Sequence, residues 1–219
     1  MVFRVLSLDL DWFNPIQTDE LPAYLRYFFE KLPAVCTLPK EIAVLIEHHY
    51  LYPWCARLVR LRESPQVHLV NIDAHHDFYD SSEIKDFATH KVNAANFLAF
   101  MAHDGMLHHY TWVTNRSRLA ATLTKRPDLQ DALTACASAR VRTLRGRVKV
   151  RRMLDVWDVL GGQTFDAFAI VTSPRYTRTE LIQKRVNDML TGNGAYRGFV
   201  VTRNMRSREF KSADTRFGR

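Results

Sequence analysis

The sequence predicts an α/β protein, with a mostly parallel sheet between two layers of helices in a three-layer α/β/α fold. Short apolar segments alternate with amphipathic segments along most of the chain. This alternation is typical of parallel strands connected by crossover helices. The chain has 219 residues, of which 47% are hydrophobic, and this is enough for one sizeable core. Eight Gly and eight Pro are too few for a fibrous or low-complexity chain.

Apolar and amphipathic segments give the order of the elements. Buried strands are predicted at 3–8, 42–46, 67–72, 110–114, 165–172 and 198–202. Helices are predicted at 20–32, 50–62, 92–102, 117–137 (with a break at Pro127) and 178–190. The helices at 20–32 and 178–190 have apolar residues recurring on one face. The alternating pattern within 138–163 indicates a hairpin that departs from the sheet. We expect one domain over residues 1–205, followed by a basic tail over 206–219.

The net charge of +8 is concentrated in two segments. Residues 140–152 carry seven basic and no acidic side chains, and residues 201–219 carry six basic and two acidic ones, which leaves −3 for the rest. Such segments suit an acidic or polyanionic partner, although a solvated loop and tail explain them equally well. A non-catalytic nucleic-acid binder is therefore one interpretation. It is disfavoured because it explains none of the clustered Asp and His residues.

Several classes of protein are disfavoured by what the sequence lacks. The opening MVFRVLSLDLDW has two Asp where a signal peptide needs apolar residues, and the apolar runs are too short to cross a bilayer. Cys36, Cys55 and Cys136 lie far apart, which argues against a disulfide framework and a thiolate zinc site. We expect a cytoplasmic protein with no membrane partner, and the sequence leaves a homo-oligomer open.

Polar clusters follow the first three predicted strands. They stand in SLDLDWFNP (7–15), in LIEHHY (45–50) and in NIDAHHDF (71–78). Ligands of open parallel sheets bind at the carboxyl ends of the strands, so we expect the three clusters to meet at one edge. Alternate residues of an extended chain share a face. On that ground Asp9 and Asp11 should point the same way, and so should Asp73, His75 and Asp77.

Six side chains in these clusters could bind two metal ions. They are Asp9, Asp11, His48, Asp73, His75 and Asp77. Four carboxylates balance the charge of two divalent cations, and mixed carboxylate and imidazole ligands suit Mn²⁺, Fe²⁺ or Zn²⁺. Carboxylates this close together would repel one another strongly without a cation. The sequence therefore predicts a two-metal site, with His49 as an alternative to His48.

These motifs carry a resemblance to a known superfamily. DAHHD (73–77) resembles the DAHxD metal motif of the arginase, agmatinase and histone-deacetylase superfamily, and SLDLDWFNP is similar to its DxDxxxP-type motif. IEHHYLYPWCARL and TSPRYTRTEL (172–181) resemble segments of a ureohydrolase-like branch that includes the peptide arginases of ribosomal-peptide biosynthesis. The DxD motif comes first here but late in ordinary arginases, and a GGDHS segment is absent. The resemblance therefore implies an arginase-like fold with a permuted motif order.

The activity implied by the resemblance is Mn²⁺-dependent hydrolysis of arginine side chains in a precursor peptide. The products would be ornithine and urea. The nucleophile would be a hydroxide that bridges two Mn²⁺ ions. Fe²⁺ or Zn²⁺ could replace Mn²⁺. Asp9 and Asp73 are the candidate bridging ligands. His75 and Asp11 would be the remaining ligands of one ion, and His48 and Asp77 those of the other.

The resemblance also implies roles for residues outside the metal cluster. His90 stands thirteen residues after Asp77, as the arginase shuttle histidine does, and is the expected proton donor to the leaving amine. Asn93 and Asn96 are similar to an Asn-containing segment of the peptide-modifying branch and are expected to orient the substrate. A carboxylate should bind the guanidinium group, and the candidates are Glu47, Asp80 and Glu20.

A phosphatase of the haloacid-dehalogenase type is the alternative enzyme class. Its N-terminal DxD would use Asp9 as the nucleophile with a single Mg²⁺. Trp12 and Phe13 disfavour this reading, because a phosphate loop needs small or hydroxyl residues after DxD. The phosphatase reading also leaves DAHHD without a role.

Overall fold

A seven-stranded parallel sheet forms the centre of the protein. The computed structural model describes residues 2–14, 16, 19–61, 66–77, 86–89, 91–114, 149–153, 155–175, 177, 179–191 and 200–203. The strands are β1 Val2–Asp9, β2 Glu41–Leu45, β3 Gln66–Ile72, β4 Leu107–Val113, β5 Lys149–Met153, β6 Ala167–Val171 and β7 Val200–Arg203. Their order is β5-β4-β3-β1-β6-β2-β7, and every neighbouring pair is parallel. The predicted α/β class and parallel sheet are confirmed.

Helices cover both faces of this sheet. They are α1 Leu21–Val35, α2 Leu51–Leu61, α3 Phe97–His103, α4 Val156–Leu160 and α5 Thr179–Thr191. Apolar residues of α1, α4 and α5 form one core with Leu6, Leu8, Val70 and Ile72 of the sheet. Those of α2 and α3 form a second core on the other face. The arrangement is a three-layer α/β/α fold. None of the helices in the described part of the chain combines the length and the apolar character that a membrane crossing needs.

The hairpin expected within 138–163 is wrong for the part that the structure describes. Lys149–Met153 joins the sheet as an edge strand parallel to β4, and α4 follows it. The alternation of apolar and basic residues that suggested a hairpin is equally typical of an edge strand. The helix expected at 117–137 and the tail at 206–219 lie outside the described residues.

Helix α3 also begins later than the apolar pattern predicts. The backbone N–H of Asn93 donates to Oδ1 of Asn96, and the N–H of Ala95 donates to Oδ1 of Asn93, both at 2.8 Å. Asn side chains that bond to nearby backbone groups offer the chain an alternative to the helix. The helix therefore starts at Phe97 and not at 92.

The strand order places the carboxyl ends of four neighbouring strands side by side. β1 lies between β3 and β6, and β2 pairs with the far side of β6. The three polar clusters follow β1, β2 and β3, so all of them open onto the same edge. In parallel sheets this edge is where ligands bind.

Candidate metal centre

All six predicted metal-binding residues line one cavity of about 170 Å³ at this edge. They are Asp9, Asp11, His48, Asp73, His75 and Asp77. Five of them are buried, and only His75 is partly exposed. Three further residues, Ala94, Ala95 and Ser173, complete the lining.

The end of β1 holds two of the carboxylates in a tight turn. Residues 10–13 form a 3₁₀ turn, and Oδ1 of Asp9 caps it by accepting the N–H of Asp11 at 2.9 Å. Oδ1 of Asp11 in turn accepts the N–H of Ala74, at 3.3 Å. The extended backbone expected through Asp9 and Asp11 is therefore wrong, because a capped turn brings Asp11 into the cavity.

The end of β3 is bent in a similar way. Oδ1 of Asp73 accepts the N–H of His75 at 2.8 Å, and Asp77 has a positive φ of 57°. Trp112 Nε1 donates to the carbonyl of Asp73 at 2.9 Å and thereby anchors the turn to β4. Residues 73–77 are therefore not extended. The three side chains meet through the turn and not through alternation along a strand.

The histidine that follows β2 in the cavity is His48. It stands in a 3₁₀ turn, is 3% exposed, and packs its ring nearly parallel to Phe97 at a centroid distance of 5.1 Å. His49 is partly buried, packs against Tyr50 and does not line the cavity. The structure thus places His48, and not His49, among the carboxylates.

Three carboxylate oxygens surround one nitrogen of His48. Its Nδ1 lies 3.1 Å from Asp9 Oδ2, 3.0 Å from Asp73 Oδ2 and 3.0 Å from Asp77 Oδ2. An imidazole nitrogen carries at most one proton, so it can satisfy only one of these oxygens. A cation bound between this nitrogen and the three oxygens would be a partner for all four atoms.

A second group lies beside the first and shares Asp73 with it. His75 Nδ1 is 2.8 Å from Asp11 Oδ2 and 3.8 Å from Asp73 Oδ1. The ligand atoms of Asp11, Asp73 and His75 lie within 4.8 Å of one another, as do those of Asp9, His48 and Asp73. Asp73 therefore faces both groups with different oxygens, whereas Asp9 belongs to one.

Burial dominates the acid–base properties of the cluster. It raises the pKa of Asp9 to about 6, with the charges of Asp11 and Asp73 adding to the effect and the hydrogen bond to His48 opposing it. Burial also raises the pKa of Asp77, and burial together with the charges of Asp77 and Asp11 raises that of Asp73 well above 3.8. Burial lowers the pKa of His48, but the charges of Asp77 and Asp73 outweigh it and raise the pKa well above 6.5. Burial therefore disfavours negative charge on Asp9, Asp73 and Asp77, and the charges of Asp77 and Asp73 favour a positive charge on His48.

Asp11 is the exception among the carboxylates. Burial opposes its ionisation, but the hydrogen bond and charge of His75, together with the N–H of Ala74, hold its pKa below 3.8. Asp11 is therefore ready to act as an anionic ligand at neutral pH. The partly exposed His75 beside it gives this half of the cluster contact with the open side of the cavity.

A buried oxygen without a hydrogen-bond partner indicates that a metal ion fits this cluster. Oδ2 of Asp77 is buried and has no hydrogen-bond partner among the described residues, although it lies 3.0 Å from His48 Nδ1. Buried polar atoms are rarely left without a partner. Oxygen and imidazole nitrogen are suitable ligands for Mn²⁺, Fe²⁺ and Zn²⁺. The buried Asp and His groups can thus hold a metal ion.

Ser173, at the end of β6, is a site residue to which the sequence analysis assigned no role. Its hydroxyl donates to Asp9 Oδ2 at 2.5 Å, and its N–H donates to the carbonyl of Ile46. Its φ of 39° lies in the left-handed region, which is uncommon for residues other than glycine. The signal available in the sequence was its place, two residues after a fully apolar strand.

The other predicted residues take different positions. Asn93 and Asn96 use their side chains to hold the turn before α3 and do not line the cavity, whereas Ala94 and Ala95 between them do. Their assignment to substrate binding stays a prediction. His90 and Asp80 lie outside the described residues.

Two candidates for binding the guanidinium group are described. Glu20 is exposed and directly precedes α1 as its N-cap residue. Glu47 precedes His48 and forms an ion pair with Arg175, Oε1 to Nε, at 3.7 Å. Because Arg175 is itself a guanidinium, Glu47 already pairs with the chemical group that it was expected to bind.

Comparison with known proteins adds no relative to this description. No protein-family model, no curated protein and no solved structure matches the chain.

Proposed function

We propose that this protein is a metal-dependent hydrolase that removes urea from arginine side chains of a precursor peptide and leaves ornithine. The observation that carries the proposal is the position of Asp73, whose two oxygens face two adjacent Asp/His groups in one cavity. A carboxylate shared in this way is what a pair of metal ions requires of a bridging ligand. The arginase-like fold with its permuted motif order belongs to the same proposal.

The six residues form two sets of ligands, one for each of two metal ions, and we propose that these ions are Mn²⁺. Asp9, His48 and Asp77 would hold one ion, Asp11 and His75 the other, and Asp73 both. Divalent ions held as a pair would supply a water molecule of lowered pKa close to the substrate. Four carboxylates offset the charge of two such ions, so the centre would not repel a cationic guanidinium group.

The chain itself shapes and orients the site. The hydroxyl of Ser173 holds Oδ2 of Asp9 from the β6 side. Ala94 and Ala95 form a wall with small side chains, which leaves room beside the carboxylates. Their turn is held in place by the hydrogen bonds of Asn93 and Asn96, which supports a role for these two residues in positioning the wall.

A proton donor and a peptide contact complete the proposal. His90 would give a proton to the amine that leaves, and His90→Ala should lower turnover by about 10²–10⁴-fold while metal content stays the same. The basic segments 140–152 and 201–219 would bind an acidic part of the precursor, since contacts remote from the reacting group contribute binding energy to turnover.

The test combines elemental analysis of the purified protein with urea detection. With Mn²⁺, an arginine-containing peptide should lose one CH₂N₂ unit per arginine, and equimolar urea should appear. Lysine in place of arginine in the same peptide is the control. Longer peptides with acidic flanks should react at lower concentration than short ones. Release of phosphate from phosphatase substrates, with no mass change of any arginine peptide, would support the haloacid-dehalogenase alternative instead.

A further inference from the structure

A row of buried polar side chains lies beneath the metal cluster. Ser7, Asn71 and Tyr110 belong to β1, β3 and β4, and each is 0% exposed. Their strands otherwise place apolar residues such as Val5 and Leu69 on this face. Polar groups at such depth destabilise a protein unless they are hydrogen-bonded. The partners of these three groups therefore indicate why they are present.

The hydrogen bonds of this row run in one direction. The hydroxyl of Tyr110 donates to the carbonyl of His76 at 3.2 Å, and this bond uses its single proton. Tyr110 must therefore act as the acceptor toward Asn71, whose Nδ2 lies 3.2 Å away. The same Nδ2 donates to Asp73 Oδ2 at 3.0 Å. Both protons of the amide nitrogen are thus in use.

The orientation of the Asn71 amide follows from these two bonds. A flipped amide would direct its oxygen at the carboxylate of Asp73 and at the Tyr110 oxygen, which has no proton to offer. With the amide nitrogen on that side, Oδ1 faces His48 Nε2 at 3.1 Å. An amide oxygen can only accept, so the proton of His48 on this side must sit on Nε2.

We propose that Asn71 is a positioning residue that keeps a proton on Nε2 of His48 and turns Nδ1 toward the oxygens of Asp9, Asp73 and Asp77, where its lone pair could bind a metal ion. Histidine ligands of metals are commonly oriented in this way by a hydrogen bond to their second nitrogen. Ser7 also lies near Nε2, at 3.3 Å, but it is the longer contact. The inference rests on the metal site of the proposed function and not on the reaction that we assign to it.

The direct test replaces Asn71 with leucine, which has a similar shape and no acceptor. Affinity for Zn²⁺ and Mn²⁺, measured by calorimetry on the full chain, should fall about 10–100-fold. In the Zn²⁺-loaded parent, ¹⁵N NMR should show His48 protonated at Nε2 and metal-bound at Nδ1. In Asn71→Leu this signature should weaken or be lost. Ser7→Ala, a change at the residue paired with Asn71 across β1 and β3, is the matched control and should leave both readings near those of the parent.

Thermal unfolding in EDTA shows whether each variant is folded without metal. A loss of metal affinity in a variant that is as stable as the parent indicates a positioning role and not a structural one. If Asn71→Leu does not fold, Tyr110→Phe removes the group that holds the Asn71 amide and should weaken metal binding more than Ser7→Ala does. Unchanged metal affinity and ring signature in the folded Asn71 variant, or a larger effect of Ser7→Ala than of Tyr110→Phe, would overturn the inference. A parent that binds no divalent ion would overturn it together with the proposed function. If the parent and the variants bind metal as expected but the parent releases no urea, only the proposed reaction would be overturned.

Discussion

The two faces of the central strands differ sharply, although the same strands form both. Leu6 and Leu8 of β1 point into a core that is apolar throughout. Ser7, between them, points to the opposite face, where the strand ends in Asp9. β3 repeats the pattern, with Val70 and Ile72 on the apolar face. Each strand therefore contributes alternately to the two faces.

This difference separates the stability of the fold from its chemistry. The apolar face buries large side chains from α1, α4 and α5 against the sheet, and burial of this kind is the main favourable term in folding. The other face has the apolar core of α2 and α3 and, at its carboxyl edge, buried carboxylates with raised pKa values and two residues of positive φ, Asp77 and Ser173. Unfavourable features of this kind persist only where the surrounding structure holds them in place.

The largest effect is expected on the polar face, from Asp73→Asn. The shared carboxylate would be lost, so metal affinity should fall by more than the about 10–100-fold typical of a group one hydrogen bond away from a metal. Urea release should fall to background. Because the change also removes a buried negative charge, unfolding in EDTA at pH 8 should require the same free energy as in the parent, or more. Metal content equal to that of the parent would contradict the assignment.

The converse effect is expected on the apolar face, from Leu6→Ala. Leu6 is fully buried, and removing such a side chain lowers the free energy of unfolding by about 2–5 kcal/mol. The folded variant should keep the metal stoichiometry of the parent, because Leu6 points away from the cluster. Denaturant unfolding and elemental analysis of the same preparation check both expectations. A loss of metal from folded Leu6→Ala would mean that the two faces are coupled.

A smaller effect should appear in the pH dependence of stability. The pKa of Asp9 is raised from 3.8 to about 6, so the folded metal-free protein holds more protons than the unfolded chain between these values, and stability falls as pH rises through them. The raised pKa of His48 acts in the same sense, since its contribution is complete below 6.5 and is lost as pH rises through the folded-state pKa. His68 and His76 act in the opposite sense below about 6.5, because burial lowers the pKa of each to about 4. Above that pH both are largely neutral in the folded and unfolded states, so Tm in EDTA should fall from pH 7 to pH 8.

Metal binding should reverse this trend. A divalent ion at 100 times its Kd adds about 2.7 kcal/mol, which for a chain of this size raises Tm by about 5–10 °C. The gain should be present at pH 8 and shrink at pH 5, where protons compete for Asp9. Differential scanning at both values, with and without Mn²⁺, measures it. A Tm in EDTA that climbs from pH 7 to pH 8 would contradict the raised pKa of His48.

Much of the candidate site could be predicted because local sequence carries the signals. Apolar strands that end in Asp and His mark ligand positions at the edge of a parallel sheet, and they led to all six of the Asp and His residues that line the cavity. The prediction of extended backbone at Asp73–Asp77 was wrong in its geometry. Side-chain bonds such as that of Asp73 to the His75 N–H close a turn there, and such bonds compete with a regular strand.

Residue types and their order are sufficient to predict which segments are apolar, where most strands lie, and which strand ends carry carboxylates and histidines. Which of these ends are neighbours depends on the tertiary fold. β6 lies between β1 and β2 and thereby brings Ser173 to Asp9, 164 residues away. The choice of His48 over His49 and the role of Asn71 depend on the same packing. Strand order and hydrogen-bond partners of this kind follow from contacts between distant segments, which no local pattern of residues contains.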